Sequence, residues 1–478
     1  MYWLIFTIST IYYSLLATKS WSWIFTGQDT GDWLASAWMR FTPQPYGSPL
    51  YVLLIKIIPG MGLNPVIWAP ILLSSIPAAI TVTLVASIVQ RKTNSNKAAI
   101  ASSAAILGAS IFLTQATIVE EYTFAVMWVV LAFWAWQRDK KWLVMLSIGL
   151  GGAVHIIVLA VAGIWAMIEY QNWRNWIKFA PLALLPLGLY GITLATMADP
   201  NTFKWISGNL SWQSLSNYVG SSSYIGGMAI SETPKRLWQA LILTVPLFGI
   251  CWVEIVLVAK NFKQDKLILV CLATILFSFW LYLTNKDYTT WTFLCYGIPF
   301  AAVLFGIGYN KWLTQDKEVA AILLMQSMIL IGLNTMTLNA NYLANLSPRA
   351  EVYKEQLMDL PGNAVLIVPS GGAFGLGYLY VVSLGKELTP IMMSPSQTPT
   401  ERSQVYTDYL EQQKWRTDIA GITTMERIND ALAKNYTLYI PQECWAGYWQ
   451  DIIEVENSQY SMLYKIKSAD EDYQFSEE

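Results

Sequence analysis

The strongest constraint on this chain is a series of apolar runs about as long as a bilayer is thick. A helix needs roughly 20 apolar residues to cross. Runs of that kind lie near 1–18, 67–90, 98–116, 121–137, 179–198, 236–259, 266–284, 291–309 and 318–338. Inside a bilayer the backbone finds no water, so each run must close its own hydrogen bonds as a helix. Composition agrees: 13% of residues are charged, about half the usual share for a soluble domain. The 23 Trp and 26 Tyr supply rings that favour the headgroup level. These features predict a polytopic α-helical membrane protein. A net charge of -2 offers no basic stripe, so nucleic acid is excluded as a partner.

Residues 1–18 have no basic leading segment and no small-x-small cleavage site, so they read as a retained first span. The segment 142–170 is flanked by positive charge on both sides: Arg138, Lys140 and Lys141 before it, Arg174 and Lys178 after it. If both flanks share one side of the membrane, the segment goes in and returns. The turn then falls near Gly151, Gly152 and His155, between two short helices. With the N-terminus in the cytoplasm and about eleven spans, every short cytoplasmic loop is basic. Those loops hold Arg91, Lys92 and Lys97, then the two flanks above, then Lys260, Lys263 and Lys266, then Lys311 and Lys317. This is the positive-inside pattern, and an odd span count puts the C-terminal region outside the cytoplasm.

Two long outer loops follow, at about 20–66 and 199–235. In the first, PQPYGSPLYVLLIKIIPG is too short to span and is expected on or in the interface. The transmembrane domain is thus expected over 1–340. Beyond it, at 341–465, strand-like AVLIVPS, TPIMMS, YTLYIP and SMLYKI alternate with helical patterns at 374–385, 400–415 and 423–434. That alternation predicts a small extracytoplasmic α/β domain, followed by an acidic tail at 466–478. No internal repeat is visible.

Ionisable groups at membrane level are costly and usually serve a purpose. Asp29 and Asp32 stand in GQDTGDW, and Glu120 and Glu121 in ATIVEEYTF. All four fall on the outer face and fit a catalytic base, a cation site or both. Solvated loop acids, with Asp29 or Asp32 capping the next helix, fit the same spacing. His155, in GGAVHIIV, is more often a satisfied core residue than a ligand, but its place at the expected turn raises the functional reading. Gly371 and Gly372 read as a turn, since no phosphate-loop pattern surrounds them. Cys251, Cys271, Cys295 and Cys444 read as small buried hydrophobes, and a zinc site is excluded by a single His and no CxxC.

Six stretches, taken together, carry a family resemblance. GQDTGDWLASA is similar to G-x-D-S/T-G/A-D/E. QPYGSPLY resembles H-P-P-G-Y/F-P-L-Y/F, with Gln44 for the histidine, Tyr46 for the second proline and Ser48 for the aromatic. TIVEEYTF resembles V/A-x-E-V-Y, and GLGGAVHIIVL resembles G-L-S/A-x-x-x-H. ADPNTFKWISGNL and LMDLPGNAVLIVPSGGAFGLGYLYV complete the set, which reaches from about 20 to 390. The chain resembles the domain-of-unknown-function 2723 family, glycosyltransferase family 117 of GT-C type, which includes protein O-mannosyltransferases of the transmembrane protein 260 kind.

The resemblance implies a GT-C-like enzyme that moves a sugar, with mannose as the family's precedent. The donor would be a polyprenyl-phosphate sugar in the membrane lipid, and the acceptor a hydroxyl of an extracytoplasmic protein or glycolipid. It implies Asp29 as general base and inversion at the anomeric carbon. Asp32, Glu120, Glu121 and His155 would support it or bind a divalent cation; no cofactor is otherwise implied. Arg40, Lys204, Lys235, Arg236 and Lys286 are the outer-face candidates for the donor phosphate. A non-catalytic scaffold or complex subunit, and a transporter or flippase, are the competing readings.

Overall fold

The computed structural model describes residues 1–17, 30, 33–34, 41–42, 48–168, 174–191, 203–204, 234–235, 237–239, 251–259, 265–284, 288–339, 346–369, 388–393, 419, 424–442, 450 and 453–469. Asp29, Asp32, Arg40, Arg236, Lys286, the Gly371–Gly372 pair, the expected helices at 374–385 and 400–415, and the tail from 470 onward lie outside them. The chain divides into two units. One comprises Met1–Ser20, Tyr46–Leu194 and Asn209–Leu343; the other comprises Trp21–Pro45, Ala195–Gly208 and Ala344–Glu478.

The first unit is a helical bundle and the chain is an integral membrane protein. It opens with α1 (Tyr2–Ala17) and α2 (Pro49–Gly60). Next come α3 (Pro65–Thr93), α4 (Asn96–Leu107) and α5 (Ser110–Thr117). Then follow α6 (Tyr122–Trp136), α7 (Lys141–Val154), α8 (Ile157–Ile168) and α9 (Ala180–Leu187). The unit closes with α10 (Cys251–Ala259), α11 (Lys266–Thr284), α12 (Ile298–Gln315) and α13 (Lys317–Leu338). Four described helices are long and apolar enough to cross a membrane, or five if the bent α4–α5 pair is one span. On α13, Ile322, Met325, Ile329, Leu333 and Met336 are exposed, as expected of a face that meets lipid rather than protein.

Three helices depart from regular geometry, each for a local reason. In α3, Pro77 offers no N–H to the Leu73 carbonyl. The chain answers with a π-turn at Ile71–Ser75, closed by the Ile76 amide on the Ile71 carbonyl. The α4–α5 pair bends by 70°. There the Gly108 carbonyl accepts a hydrogen bond from Asn334 Nδ2 on α13 at 2.5 Å. The third departure is the break between α7 and α8 at His155, whose backbone is extended (φ -152°, ψ 127°). This is the expected turn between two short helices. A Cβ on Gly151 would lie 2.9 Å from Val158 Cγ1 and 2.8 Å from Trp128 Cβ. Seven residues apart, those two positions would be one and a half to two turns apart on an unbroken helix. The chain therefore folds back tightly there, and only glycine leaves the room.

Polar contacts gather one set of helix ends. Tyr2 Oη donates to Gln90 Oε1 at 3.1 Å, Lys92 Nζ pairs with Asp265 at 2.6 Å, and Arg138 reaches Ser87 Oγ at 3.0 Å. The start of α1, the end of α3, the end of α6 and the start of α11 thus share one end of the bundle. Those are the basic loops that the charge pattern groups together. Buried Cys271 and Cys295 are free thiols inside the bundle, as expected.

In the second unit the two long loops meet through a short parallel pair. β1 (Phe41–Thr42) and β2 (Phe203–Lys204) pair Phe41 with Phe203 and Thr42 with Lys204. The C-terminal region contributes α14 (Leu346–Asp359), β3 (Ala364–Pro369), β4 (Thr389–Met393), α15 (Thr424–Ala433), β5 (Thr437–Pro441), β6 (Ile453–Asn457) and β7 (Leu463–Ala469). The sheet order is β4-β3-β5-β7-β6, parallel on one side and an antiparallel hairpin on the other. Val365, Ile367, Ile391, Leu438, Ile440 and Ile466 form its core with Ile428 and Ala431 of α15. Strand β6 was not among the sequence expectations. Its acids Glu454 and Glu456 face Lys467 and Lys465 at 3.6 and 2.8 Å across the hairpin. Strand β7 continues to Ala469, four residues past the boundary expected at 465.

Helix α7 packs directly on the backbone of α9. A Cβ on Gly149 would lie 2.4 Å from the Ala183 carbonyl oxygen and 2.6 Å from its Cα, whereas Gly163 on α8 has nothing within 4 Å. Gly149→Val is therefore expected to lower the thermal unfolding midpoint in detergent by several degrees, as overpacking costs about 1–3 kcal/mol. Gly163→Ala should leave it unchanged or raise it slightly.

Candidate functional site

The acidic segment 118–122 is delivered by the irregular backbone around it. The π-turn of α3 exposes two serines to this segment. Ser75 Oγ donates to the Ala116 carbonyl at 2.8 Å and Ser74 Oγ to the Glu120 carbonyl at 3.4 Å. Thr123 Oγ1 returns a bond to the Ser74 carbonyl at 3.3 Å. Hydroxyls serve here as glue because the surroundings are apolar and an unmade bond would be costly. Glu121 occupies the N-cap of α6 and its carbonyl accepts from the Ala125 amide at 2.9 Å. A carboxylate at that position is favoured by the helix dipole.

Glu120 and Glu121 are 1% and 3% exposed. They are not solvated loop acids, and this overturns the bland reading of this pair. His155, at the α7–α8 break, faces Glu121 with Nε2 3.7 Å from Oε1. Its Nδ1 accepts the Ile157 backbone amide at 3.3 Å. That acceptor role fixes the tautomer of the neutral imidazole: the proton sits on Nε2 and points toward the Glu121 carboxylate. Nδ1 is thus bonded by the backbone, while Nε2 stands near the acid at 3.7 Å. The imidazole ring is enclosed by Tyr122, Tyr296 and Phe293, with centroids at 5.4, 6.0 and 6.5 Å.

Three tyrosines join this cluster that sequence reasoning did not single out. Tyr51, Tyr190 and Tyr296 all lie within electrostatic reach of Glu121. Tyr51 sits against Ser74 and is fully buried. It is the last residue of QPYGSPLY, the one signal that pointed toward it. Tyr190 Oη donates to the Gly152 carbonyl at 2.8 Å, beside the helix break. Gln115, fully buried one turn before the acids, also escaped notice.

The remaining expected site residues are spread differently. Of the GQDTGDW stretch, Thr30 and Trp33 are described and fully buried; the carboxylates of Asp29 and Asp32 lie outside the described residues. Lys204 is placed by its backbone in β2, opposite Thr42. Arg40, Arg236 and Lys286 lie outside the described residues, and Lys235 is exposed. The structure therefore brings Glu120, Glu121 and His155 together. Among the described residues no group of three or more His, Cys, Asp or Glu side chains is arranged to hold a metal ion.

The whole chain superposes on a known architecture. It is similar to ArnT from Cupriavidus metallidurans in the apo state, with a TM-score of 0.60 and 10% identity over 97% of each chain. Against the same protein bound to undecaprenyl phosphate the TM-score is 0.57, again at 10% identity over 97% of each chain. The fold is the GT-C fold. No protein-family model and no curated protein matches the chain. The GT-C likeness is one of fold, extending through both units.

The engaged imidazole generates a prediction. His155→Ala removes the donor facing a buried acid and should destabilise the protein by about 1–3 kcal/mol. His155→Gln, whose amide can still donate, should recover most of that. Thermal unfolding of the detergent-solubilised protein reads both; equal losses for the two variants would refute the donor role.

Proposed function

We propose that this protein is a GT-C-type glycosyltransferase that moves a sugar from a polyprenyl-phosphate donor to a hydroxyl of a protein or glycolipid acceptor. The observation that carries the reading is the GT-C likeness over 97% of the chain, including to a structure bound to undecaprenyl phosphate. Its companion is a carboxylate–imidazole–tyrosine cluster buried within the bundle. A scaffold gains nothing from burying two acids, whose desolvation opposes folding.

The chemistry assigned to the site follows from the reactants. A hydroxyl is a weak nucleophile near neutral pH, and a carboxylate that takes its proton as the new bond forms supplies the activation. We assign that role to Asp29. The acceptor oxygen bonds to the anomeric carbon while the bond to the phosphate oxygen breaks, and the polyprenyl phosphate leaves with the electron pair. Attack opposite the leaving group inverts the anomeric centre. Cationic donors near the phosphate would stabilise the charge that develops there; Arg40, Lys204, Lys235, Arg236 and Lys286 are the candidates. Glu121, near His155 and within electrostatic reach of three phenols, is suited to hydrogen-bond sugar hydroxyls. Asp32 and Glu120 are the remaining carboxylates for support or for a divalent cation.

On the family resemblance, mannose is the first sugar to test, and the proposed membrane orientation places the basic helix ends in the cytoplasm. The test is transfer from radiolabelled polyprenyl-phosphate mannose in membranes containing the full chain, with mass spectrometry of the glycosylated product. Asp29→Asn should reduce transfer by about 10²–10⁴-fold, the usual contribution of a positioned base. Full activity in that variant would reject the base assignment. Movement of labelled donor across the bilayer with no glycosylated product would favour a flippase instead.

A further inference from the structure

At the opposite end of α3 and α6 from the acids, the structure assembles a second, basic cluster that the proposed chemistry does not use. Arg138 follows the last turn of α6. Its guanidinium carbon stacks 3.9 Å from the centre of the Trp134 ring. Its two terminal nitrogens donate to the Trp134 carbonyl at 3.3 Å and to Ser87 Oγ at 3.0 Å. Trp134 Nε1 donates to the same Ser87 hydroxyl at 3.1 Å. Ser87, Trp134 and Arg138 thus form a closed triangle that holds the guanidinium in place.

Two further cations attend it. Lys140 Nζ lies 5.6 Å from the centre of the same Trp134 ring. Arg91, one turn beyond Ser87, is near enough that its charge, after partial burial, disfavours the charged form of Arg138. Neighbouring Lys92 and Lys141 are neutralised by Asp265 and Asp139 at 2.6 and 3.1 Å. Among the described residues no carboxylate pairs with Arg91, Arg138 or Lys140. Three cations gathered with no anion is an arrangement that repulsion opposes unless an anion binds among them.

The setting identifies the anion's source. Tyr2 Oη is bonded to Gln90, next to Arg91, so the first turn of α1 lies against the cluster. From there α1 exposes Trp3, Leu4, Ile8, Ile11 and Leu15 in a continuous apolar face. An interfacial Trp, a fixed guanidinium and an adjoining apolar strip match a phosphate headgroup with acyl chains. We propose that Arg91, Arg138 and Lys140 form a binding site for an anionic phospholipid, with the phosphate among the three cations and the chains along α1.

Native mass spectrometry tests this on the full chain, purified in detergent and mixed with equal amounts of phosphatidylglycerol and phosphatidylcholine. The wild type should retain phosphatidylglycerol in preference. Arg91→Gln and Lys140→Gln alter exposed side chains and should each weaken that retention about fivefold; the double variant should weaken it about thirtyfold. Arg138→Gln should do the same where it folds. Undiminished preference in the Arg91→Gln/Lys140→Gln protein, or equal retention of phosphatidylcholine by the wild type, would overturn the site. Displacement of the lipid by millimolar inorganic phosphate would overturn its assignment to a lipid.

Discussion

Two carboxyl groups buried in an apolar bundle impose the condition that the surrounding structure meets. Desolvating an acid is expensive, and the cost is tolerable only where hydrogen-bond donors and dipoles are placed around it. Glu121 receives that environment from several elements at once. The N-terminus of α6 supplies its dipole, and His155 supplies an oriented N–H. Tyr51, Tyr190 and Tyr296 lie within electrostatic reach of the same acid. No single element supplies all of these groups, so the site exists only when the bundle is assembled.

The irregular backbone serves the same end. Non-helical backbone at membrane depth is tolerated only where protein or a water-lined cavity satisfies it. The π-turn of α3 presents Ser74 and Ser75 to the acidic segment. The 70° bend between α4 and α5 sets the direction of the short helix that carries Gln115. The break at His155 allows a ring nitrogen to bond a backbone amide that a continuous helix would have used. Two of the three departures, the π-turn and the His155 break, adjoin one cluster, which is where strain and unsatisfied groups are repaid by function.

Much of this was legible in the sequence, and the gaps have physical causes. The helix break at His155 could be read from the positive charge on both flanks, which suits a segment that turns back near Gly151, Gly152 and His155. The parallel strands could be read from unbroken runs such as AVLIVP, since strands covered on both faces are apolar throughout. Strand β6 escaped because IEVEN alternates apolar residues with acids that meet lysines only once the hairpin forms. The tyrosines escaped because a Tyr in an apolar helix also reads as an interfacial ring; nothing local distinguishes one that lies near a carboxylate in the fold. Glu120 stood at the position the family resemblance emphasised, yet the contact to His155 is made by Glu121. That choice is set by the N-cap geometry of α6, which periodicity does not encode.

The bundle also separates two electrostatic tasks along common helices. Ser74 and Ser87 of α3 are 13 residues apart in the sequence, or roughly 20 Å along a helix. One supports the acidic cluster and the other anchors the basic one. Helix α6 repeats the arrangement, with Glu121 at its start and Arg138 beyond its end. At that separation the charges are well beyond contact, and neither cluster needs the other for neutrality.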